Sequence, residues 1–432
     1  MASGAKTLRE RISKYPVKQR IGEGATSEVY LCDDPFNRRE VAVKLVFSDA
    51  FNDPGRGKTI RKLFVTEASL AGKLQHPHIC EIYDAVSEED LHYIVMEYVD
   101  GGTLEQFCRA DNLLPIDRVV EIAFKCSRAL EFAQRMGVTH RDIKPANILH
   151  TGETDVKITD FGAALLAAGD TTQVSAIGSP AYMSPEQVKE QPLTHQTDIY
   201  SMGVVMFHLL TGRLPYQATN NFSLIYQITN VEAPLPSAYR PDVPKIIDDI
   251  VRHAMAKNLA ERYTQWESFS RDLADVFRSD VPVARTQAFT DSDKFETLRK
   301  LPFFENFSDA ELWEVARISS WRAAEAGEQI MREGETGSYF CVLAEGQVQV
   351  TKKGKLLTIL RPGEPFGEMA YLSKAARTRV ADVTVASDAK IITVPTERLA
   401  QATEGCQHKF DRAFMDILVE RLSMANLRMS GV

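Results

Sequence analysis

One ten-residue stretch constrains this chain more than any other: His140-Arg141-Asp142-Ile143-Lys144-Pro145-Ala146-Asn147-Ile148-Leu149. It puts a carboxylate, an ammonium and an amide on one short segment and closes it with an apolar pair. Asp142 is suited to accept the proton of an attacking hydroxyl. Lys144 is suited to neutralise a phosphate, and Asn147 to ligate a hard cation through its amide oxygen. Phosphoryl transfer asks for these three tasks together, because its catalysis is mostly positioning and charge neutralisation.

Companion segments stand in order on both sides. Residues 15–46 alternate apolar and polar positions around the turn Ile21-Gly22-Glu23-Gly24-Ala25-Thr26-Ser27-Glu28-Val29-Tyr30, and Val41-Ala42-Val43-Lys44 follows as an apolar strand ending in a lysine. Ser48 to Lys58, with Pro54, Gly55 and Gly57, reads as a loop. A helix is predicted from about Thr59 to Lys73, carrying Glu67 amid Leu63, Phe64, Leu70 and Leu74. Tyr93 to Gly102 reads as a buried strand running into a glycine turn. A helix of about 20 residues follows, with Val119, Val120, Ala123, Phe124, Leu130 and Phe132 on one stripe, and it ends near Gly137. Asp160-Phe161-Gly162 lies eighteen positions beyond Asp142 (160 − 142).

This series resembles the protein kinase family, and the resemblance covers residues 15–278. The stretch at 140–149 is similar to the kinase catalytic loop, with Ile143 where the pattern has Leu. Gly22, Gly24 and Val29 belong to a segment similar to the glycine-rich loop over the ATP phosphates, in which Ser27 takes the place of the third glycine. By the same resemblance Lys44 grips the α- and β-phosphates and Glu67 is its partner. Ala42, Leu149 and the backbone of Glu97 and Val99 would contact the adenosine moiety, beside Met96. Asp142, Lys144, Lys44 and Glu67 are the expected catalytic set, and Asn147 and Asp160 the expected Mg2+ ligands. Ser184-Pro185-Glu186 resembles the family's Ala-Pro-Glu, with Arg262 as partner of Glu186. Thr171, Thr172 and Ser175 are expected phosphorylation sites on an activation loop, paired with Arg141, while Ser179 is expected to be structural. Asp198 is expected to tie the catalytic loop's backbone. The wording of these motifs is closer to serine/threonine kinases, particularly bacterial ones, than to tyrosine kinases.

Beyond residues 279–293, which lack apolar periodicity and read as a linker, the texture changes. Glycines at 327, 334, 346, 354 and 363 punctuate short β-rich runs, Gly346 to Thr351 alternates, and Lys353-Gly354 marks a hairpin. Such spacing predicts an antiparallel barrel or jelly roll, flanked by helices from Asp309 to Ser319 and from His408 to Met429. Phe366-Gly367-Glu368-Met369-Ala370-Tyr371-Leu372, followed by Arg377 and Arg379, resembles the cassette of cyclic nucleotide-binding domains. That resemblance implies that Gly367 opens a short helix toward a phosphate and that Glu368 accepts from a ribose hydroxyl. Two arginines are left open for the phosphate: Arg377 has the usual offset from Glu368, whereas Arg379-Val380-Ala381-Asp382-Val383 better fits the family's Arg-x-Ala-x-Val. Thr378 hints at a guanine contact.

The fold expected is therefore α+β and multidomain: an extension over 1–14, a bilobal kinase domain over 15–278, a linker over 279–293 and a β jelly roll over 294–432. A chain of 432 residues is too long for one ordinary core. The net charge of −8 argues against nucleic acid as the main partner. Six cysteines without CxxC spacing suit a reduced, cytoplasmic chain, and Met1 to Lys14 has no apolar core that would make a signal peptide. No run approaches the roughly 18 apolar residues of a membrane span. The expected activity is transfer of the ATP γ-phosphate to serine or threonine hydroxyls of protein substrates, with ATP, Mg2+ and cAMP or cGMP as ligands and a dimer as a further partner state. Two alternatives stand beside it: an active kinase whose second domain is a docking or dimerisation module, and a pseudokinase scaffold. Arg285 beside Thr286 suggests an autoinhibitory or autophosphorylated linker segment.

Overall fold

A computed structural model describes residues 9–24, 26–53, 57–88, 91–152, 155–163, 165–166, 180–278, 291–372 and 378–429. Ala25, Thr171, Thr172, Ser175, Ser179, Arg285, Thr286 and Arg377 lie outside them. The chain divides into two compact units, Met1–Arg285 and Thr286–Val432.

The first unit begins with an antiparallel sheet of β1 (Arg11–Ile12), β2 (Tyr15–Glu23), β3 (Ser27–Asp34), β4 (Arg39–Val46), β5 (Ile82–Glu88) and β6 (Leu91–Glu97), in the order β1-β2-β3-β4-β6-β5. Alternation along these strands builds two cores. Tyr15, Tyr30, Cys32, Val41, Val43, Leu45 and Val95 fill one face. Ala42, Ile94 and Met96 on the other face pack against Ile60 and Phe64 of α2. α1 (Ser48–Asn52) occupies part of the segment that the sequence reads as loop, and α2 spans Gly57–Ala68 rather than Thr59 to Lys73. The helix stops early because Gly72 adopts a φ of 69° and its N–H turns to Ile82 O at 3.2 Å. On α2 the buried residues Ile60, Phe64 and Glu67 lie on one face at helical spacing, so a carboxylate is carried into the apolar side.

The remainder of this unit is mainly helical. α3 (Ile116–Arg135) packs on α5 (His195–Thr211) and α8 (Trp266–Arg278), with α4 (Pro185–Val188), α6 (Asn221–Asn230) and α7 (Lys245–Ala254) around them. α5 is buried on nearly every side, capped at its start by Thr194 and ended by Gly212 at φ 68°. Short strands β7 (Gly102–Thr103), β9 (Ile148–His150) and β10 (Val156–Ile158) form one sheet, and β8 (Val138–Thr139) pairs with β11 (Leu165–Leu166). The hairpin β9–β10 leads from Asn147 to Asp160 and so brings two distant motifs side by side.

The second unit opens with α9 (Asp291–Lys300), which begins within the segment assigned above to the linker; Asp291 and Asp293 in its first turn suit a helix N-terminus. α10 (Asp309–Ile318) follows, started by a capping box of Ser308 and Glu311. The sheet comprises β12 (Ser320–Ala324), β13 (Gln329–Met331), β14 (Tyr339–Lys352), β15 (Lys355–Leu360), β16 (Pro365–Phe366) and β17 (Asp382–Pro395). Its main path runs β12-β17-β14-β15, with β13 on β17 and β16 on β14. Inward residues Leu343, Val348, Leu360, Phe366, Val385 and Ile391 make the core. Lys353 (φ 48°) and Gly354 (φ 74°) form the tight turn between β14 and β15. α11 (Met369–Leu372), α12 (Thr396–Leu399) and α13 (Glu404–Met429) complete the unit. α13 starts four residues before His408, because Thr403 Oγ1 accepts from Cys406 N at 3.3 Å while its own hydroxyl donates to Glu314 at 2.7 Å.

Candidate active site and nucleotide cassette

Lys44 ends on the face of β4 that looks toward α2. Its Nζ donates to Glu67 Oε2 at 3.0 Å and Oε1 at 3.2 Å, and to Asp160 Oδ1 at 2.6 Å. Three expected residues from a strand, a helix and a loop thus meet at one ammonium. Burial is the largest influence on all three groups. It pushes the Glu67 carboxyl up even beside Lys44. For Lys44 and Asp160 it is outweighed by attraction to the opposite charges, leaving the ammonium raised and the Asp160 carboxyl depressed. A Cβ added at Gly162 would lie 3.2 Å from Glu67 Oε2, so the glycine after Phe161 leaves room for the pair.

The catalytic segment is fixed from beneath. Asp198, at the start of α5, accepts from His140 N and Arg141 N, both at 2.7 Å. Burial pushes its carboxyl up despite those bonds. His140 Nε2 pairs with Thr159 O at 2.9 Å, and its ring packs on Phe161 at 4.5 Å. Arg141 takes a φ of 69°, and its carbonyl accepts from Gln187 Nε2 at 2.8 Å. Above this base, Asp142 Oδ2 accepts from Lys144 Nζ at 2.7 Å and Asn147 Nδ2 at 3.1 Å, while Nδ2 also donates to Asp142 O at 2.8 Å. With its nitrogen committed to Asp142, Asn147 has its amide oxygen available to a cation. Asp160 has one oxygen on Lys44 and a second free of that contact. Two hard oxygen donors suit Mg2+, which takes few protein ligands and completes its shell with water and phosphate.

The glycine-rich turn and the strands beside it place the remaining nucleotide residues. Gly24 N donates to Ser27 O at 2.8 Å, closing the turn. Gly22 pairs with Val29, and Val29 with Lys44, across β2, β3 and β4. Ala42 is buried and paired with Met96. Glu97 N donates to Glu81 O at 2.8 Å, and its carbonyl accepts from the Cys80 thiol at 3.4 Å. Leu149 pairs with Thr103 and Lys157, between β7 and β10. Val99 follows β6 in the connection to β7.

Glu186 and Arg262 form a fully buried pair at 2.7 and 3.1 Å, and Thr197 donates to Glu186 at 2.9 Å. Burial alone would raise the Glu186 carboxyl; Arg262 outweighs it and holds the group below the ordinary range.

In the second unit a cavity of about 260 Å³ is lined by Gly367, Glu368, Thr378, Arg379 and the sheet. Gly367 has a φ of 74°, and a Cβ there would fall 2.5 Å from Arg379 Nη1. Arg379 is buried, donates to Gly367 O at 2.9 Å and Tyr339 O at 2.7 Å, and stacks on the Tyr339 ring at 4.6 Å. Of the two arginines left open by the sequence, Arg379 is the one described, and it lines the cavity. Glu368 is met by a residue that sequence reasoning missed. Arg421 of α13 donates to its Oε1 at 2.7 Å. Gln187, which braces Arg141, was missed as well. Neither belongs to a motif, and only the Ser184–Gln187 cap spacing hinted at the second.

The arrangement of Lys44, Glu67, Asp142, Asn147 and Asp160 is that of a protein kinase cleft, and comparison with known proteins agrees. Residues 15–273 match the protein kinase domain and residues 321–405 the cyclic nucleotide-binding domain. The chain belongs to the protein kinase family. It is similar to serine/threonine-protein kinase PrkC of Bacillus subtilis, with 36% identity over 300 residues, covering 69% of this chain and 45% of that protein. Serine/threonine-protein kinase PknB of Mycobacterium leprae is 36% identical over 289 residues, covering 65% and 46% respectively. The chain thus spans less than half the length of these relatives. Among the described residues no helix is long and apolar enough to cross a membrane.

Proposed function

We infer that this chain is a serine/threonine protein kinase whose second domain binds a cyclic nucleotide and regulates the first. The observation that carries the kinase reading is the convergence of Glu67 and Asp160 on Lys44 beside an Asp142 held by Lys144 and Asn147. Gly22 to Val29, Ala42, the backbone of Glu97 and Val99, and Leu149 would hold ATP, with Lys44 on its α- and β-phosphates. Asp142 would orient the substrate hydroxyl and take its proton, and Lys144 would neutralise the γ-phosphate. Asp160 and Asn147 would hold Mg2+, which when bound neutralises charge on the phosphate oxygens. The domains would be 15–278 and 294–432, with the second extended back to Asp291 by α9 and the rest of 279–293 between them.

Activation-loop phosphorylation at Thr171, Thr172 or Ser175 belongs to the same reading. Its support is Arg141, whose buried Nε has no hydrogen-bond partner among the described residues. Six free cysteines suit a reducing cytoplasmic setting and protein substrates there. A second reading makes the C-terminal domain a docking or dimerisation module. It is favoured by the exposure of Met415, Leu418 and Val419 along one side of α13.

Transfer from labelled ATP and Mg2+, with and without cAMP or cGMP, tests the proposal. Transfer that responds to a nucleotide only while Glu368 is intact supports both halves. Transfer indifferent to both nucleotides favours the docking module, and no transfer under any condition overturns the kinase reading.

A further inference from the structure

Glu368 is 7% exposed, and one of its two carboxylate oxygens is engaged by the chain itself. Arg421 Nη1 donates to Glu368 Oε1 at 2.7 Å and Nη2 to Pro365 O at 2.9 Å, so the guanidinium spans the wall of the cassette cavity. Arg421 also lines a second cavity of about 580 Å³, whose wall carries Glu305, Glu364 and Asp416. The arginine therefore stands between one carboxylate in the small cavity and three beside the large one. Closer to its start, α13 is held independently. Tyr371 Oη donates to Asp411 Oδ1 at 2.8 Å, and Phe414 packs on Phe340 and Tyr371 at 4.9 and 5.8 Å. Seven residues, or about 10 Å of helix, separate Phe414, the last residue of that anchor, from Arg421.

We propose that Arg421 is an internal competitor for the ribose subsite. A ligand that takes Glu368 Oε1 for its hydroxyl displaces the guanidinium, which moves toward the carboxylates of the larger cavity. The distal part of α13 is released at that step, while the aromatic anchor stays in place. This rests on the reading of the second domain as a cyclic-nucleotide site. It adds a sign: Arg421 opposes binding and is not a ligand contact. If the arginine occupies Glu368 in all but about a tenth of molecules, the apparent affinity is about tenfold below the intrinsic one.

The test is calorimetric titration of the full chain with cAMP and with cGMP, for the wild type, Arg421→Ala, Arg421→Gln and Glu368→Gln. Hydrogen exchange of α13 is measured without nucleotide in the same proteins. The expected result is binding about five- to tenfold tighter in both arginine variants and about tenfold weaker or more in Glu368→Gln, with faster exchange near residue 421 in all three variants. Unchanged or weaker binding in the arginine variants, against a wild type that binds, overturns the competitor and leaves the nucleotide site standing. Failure of the wild type and both arginine variants to bind either nucleotide overturns the cyclic-nucleotide reading and the competitor with it.

Discussion

Each unit sets a cation against carboxylates at its nucleotide site, but with the roles reversed. In the first, the group proposed to grip the ligand is the cation Lys44, and two carboxylates from the same unit, Glu67 and Asp160, hold it in place. In the second, the group proposed to grip the ligand is the carboxylate Glu368, and the cation bonded to it is Arg421 of the same unit. The kinase cleft is assembled in advance; the cassette is occupied by its own chain. A buried charge needs a partner in either case, and the identity of that partner decides whether ligand entry adds contacts or exchanges them.

The largest effect that would sharpen this contrast is in the cleft. Asp142→Asn keeps the shape of the segment but removes the proton acceptor, so phosphate transfer is expected to fall by about 10²–10⁴-fold with the fold intact, measured as kcat on labelled ATP. Glu186–Arg262 tests whether burial alone, without a ligand role, gives a pair its value. Arg262→Ala strands a buried carboxylate and is expected to cost ~3–5 kcal/mol in denaturant unfolding. The same pair has a pH signature. Because the folded Glu186 carboxyl lies below the ordinary range, its contribution is present above the usual glutamate value and is lost as pH falls through the depressed folded value. Acid unfolding of the first unit is therefore expected to lose part of its steepness in Arg262→Ala, followed by circular dichroism from neutral pH downward. Smaller is the loss in the cassette: Glu368→Ala removes a charged acceptor, and cyclic-nucleotide binding should weaken about 10- to 100-fold by calorimetry. A drop in the cassette as large as that in the cleft, or a cleft indifferent to Asp142, would break the comparison.

Much of this was legible in the sequence because the first unit's functional groups sit in short segments whose local structure is self-determined. The alternation of Val41-Ala42-Val43-Lys44 places the lysine on a definite face, and the Ile60, Phe64, Glu67 spacing carries a carboxylate inward. The segment from His140 to Asn147 needs few distant supports, chiefly Asp198 with Thr159 and Gln187. Boundaries were less legible where a single backbone preference overrode periodicity, as Gly72 did in ending α2, or where a cap lay outside the apolar stripe, as Thr403 did in starting α13. The partner of Glu368 was invisible for another reason. Arg421 lies 53 residues away on a long helix with apolar residues on more than one side, and nothing in its neighbours marks which arginine of that helix faces the sheet. Long-range side-chain pairing depends on how elements dock, which local pattern does not encode.

One feature of the cleft separates what the chain needs to stand from what it needs to act. Asp160 sits at a φ of 63°, a conformation that disfavours a residue with a Cβ by ~1 kcal/mol or more, and its carboxylate is crowded beside Glu67 on a shared lysine. Glycine would suit that backbone better. Asp160→Gly relieves that backbone but removes the bond to Lys44, so its loss in denaturant unfolding is expected to be smaller than that of Arg262→Ala, while phosphate transfer is lost. At this position backbone and chemistry prefer different amino acids, and the chain carries the one that chemistry prefers.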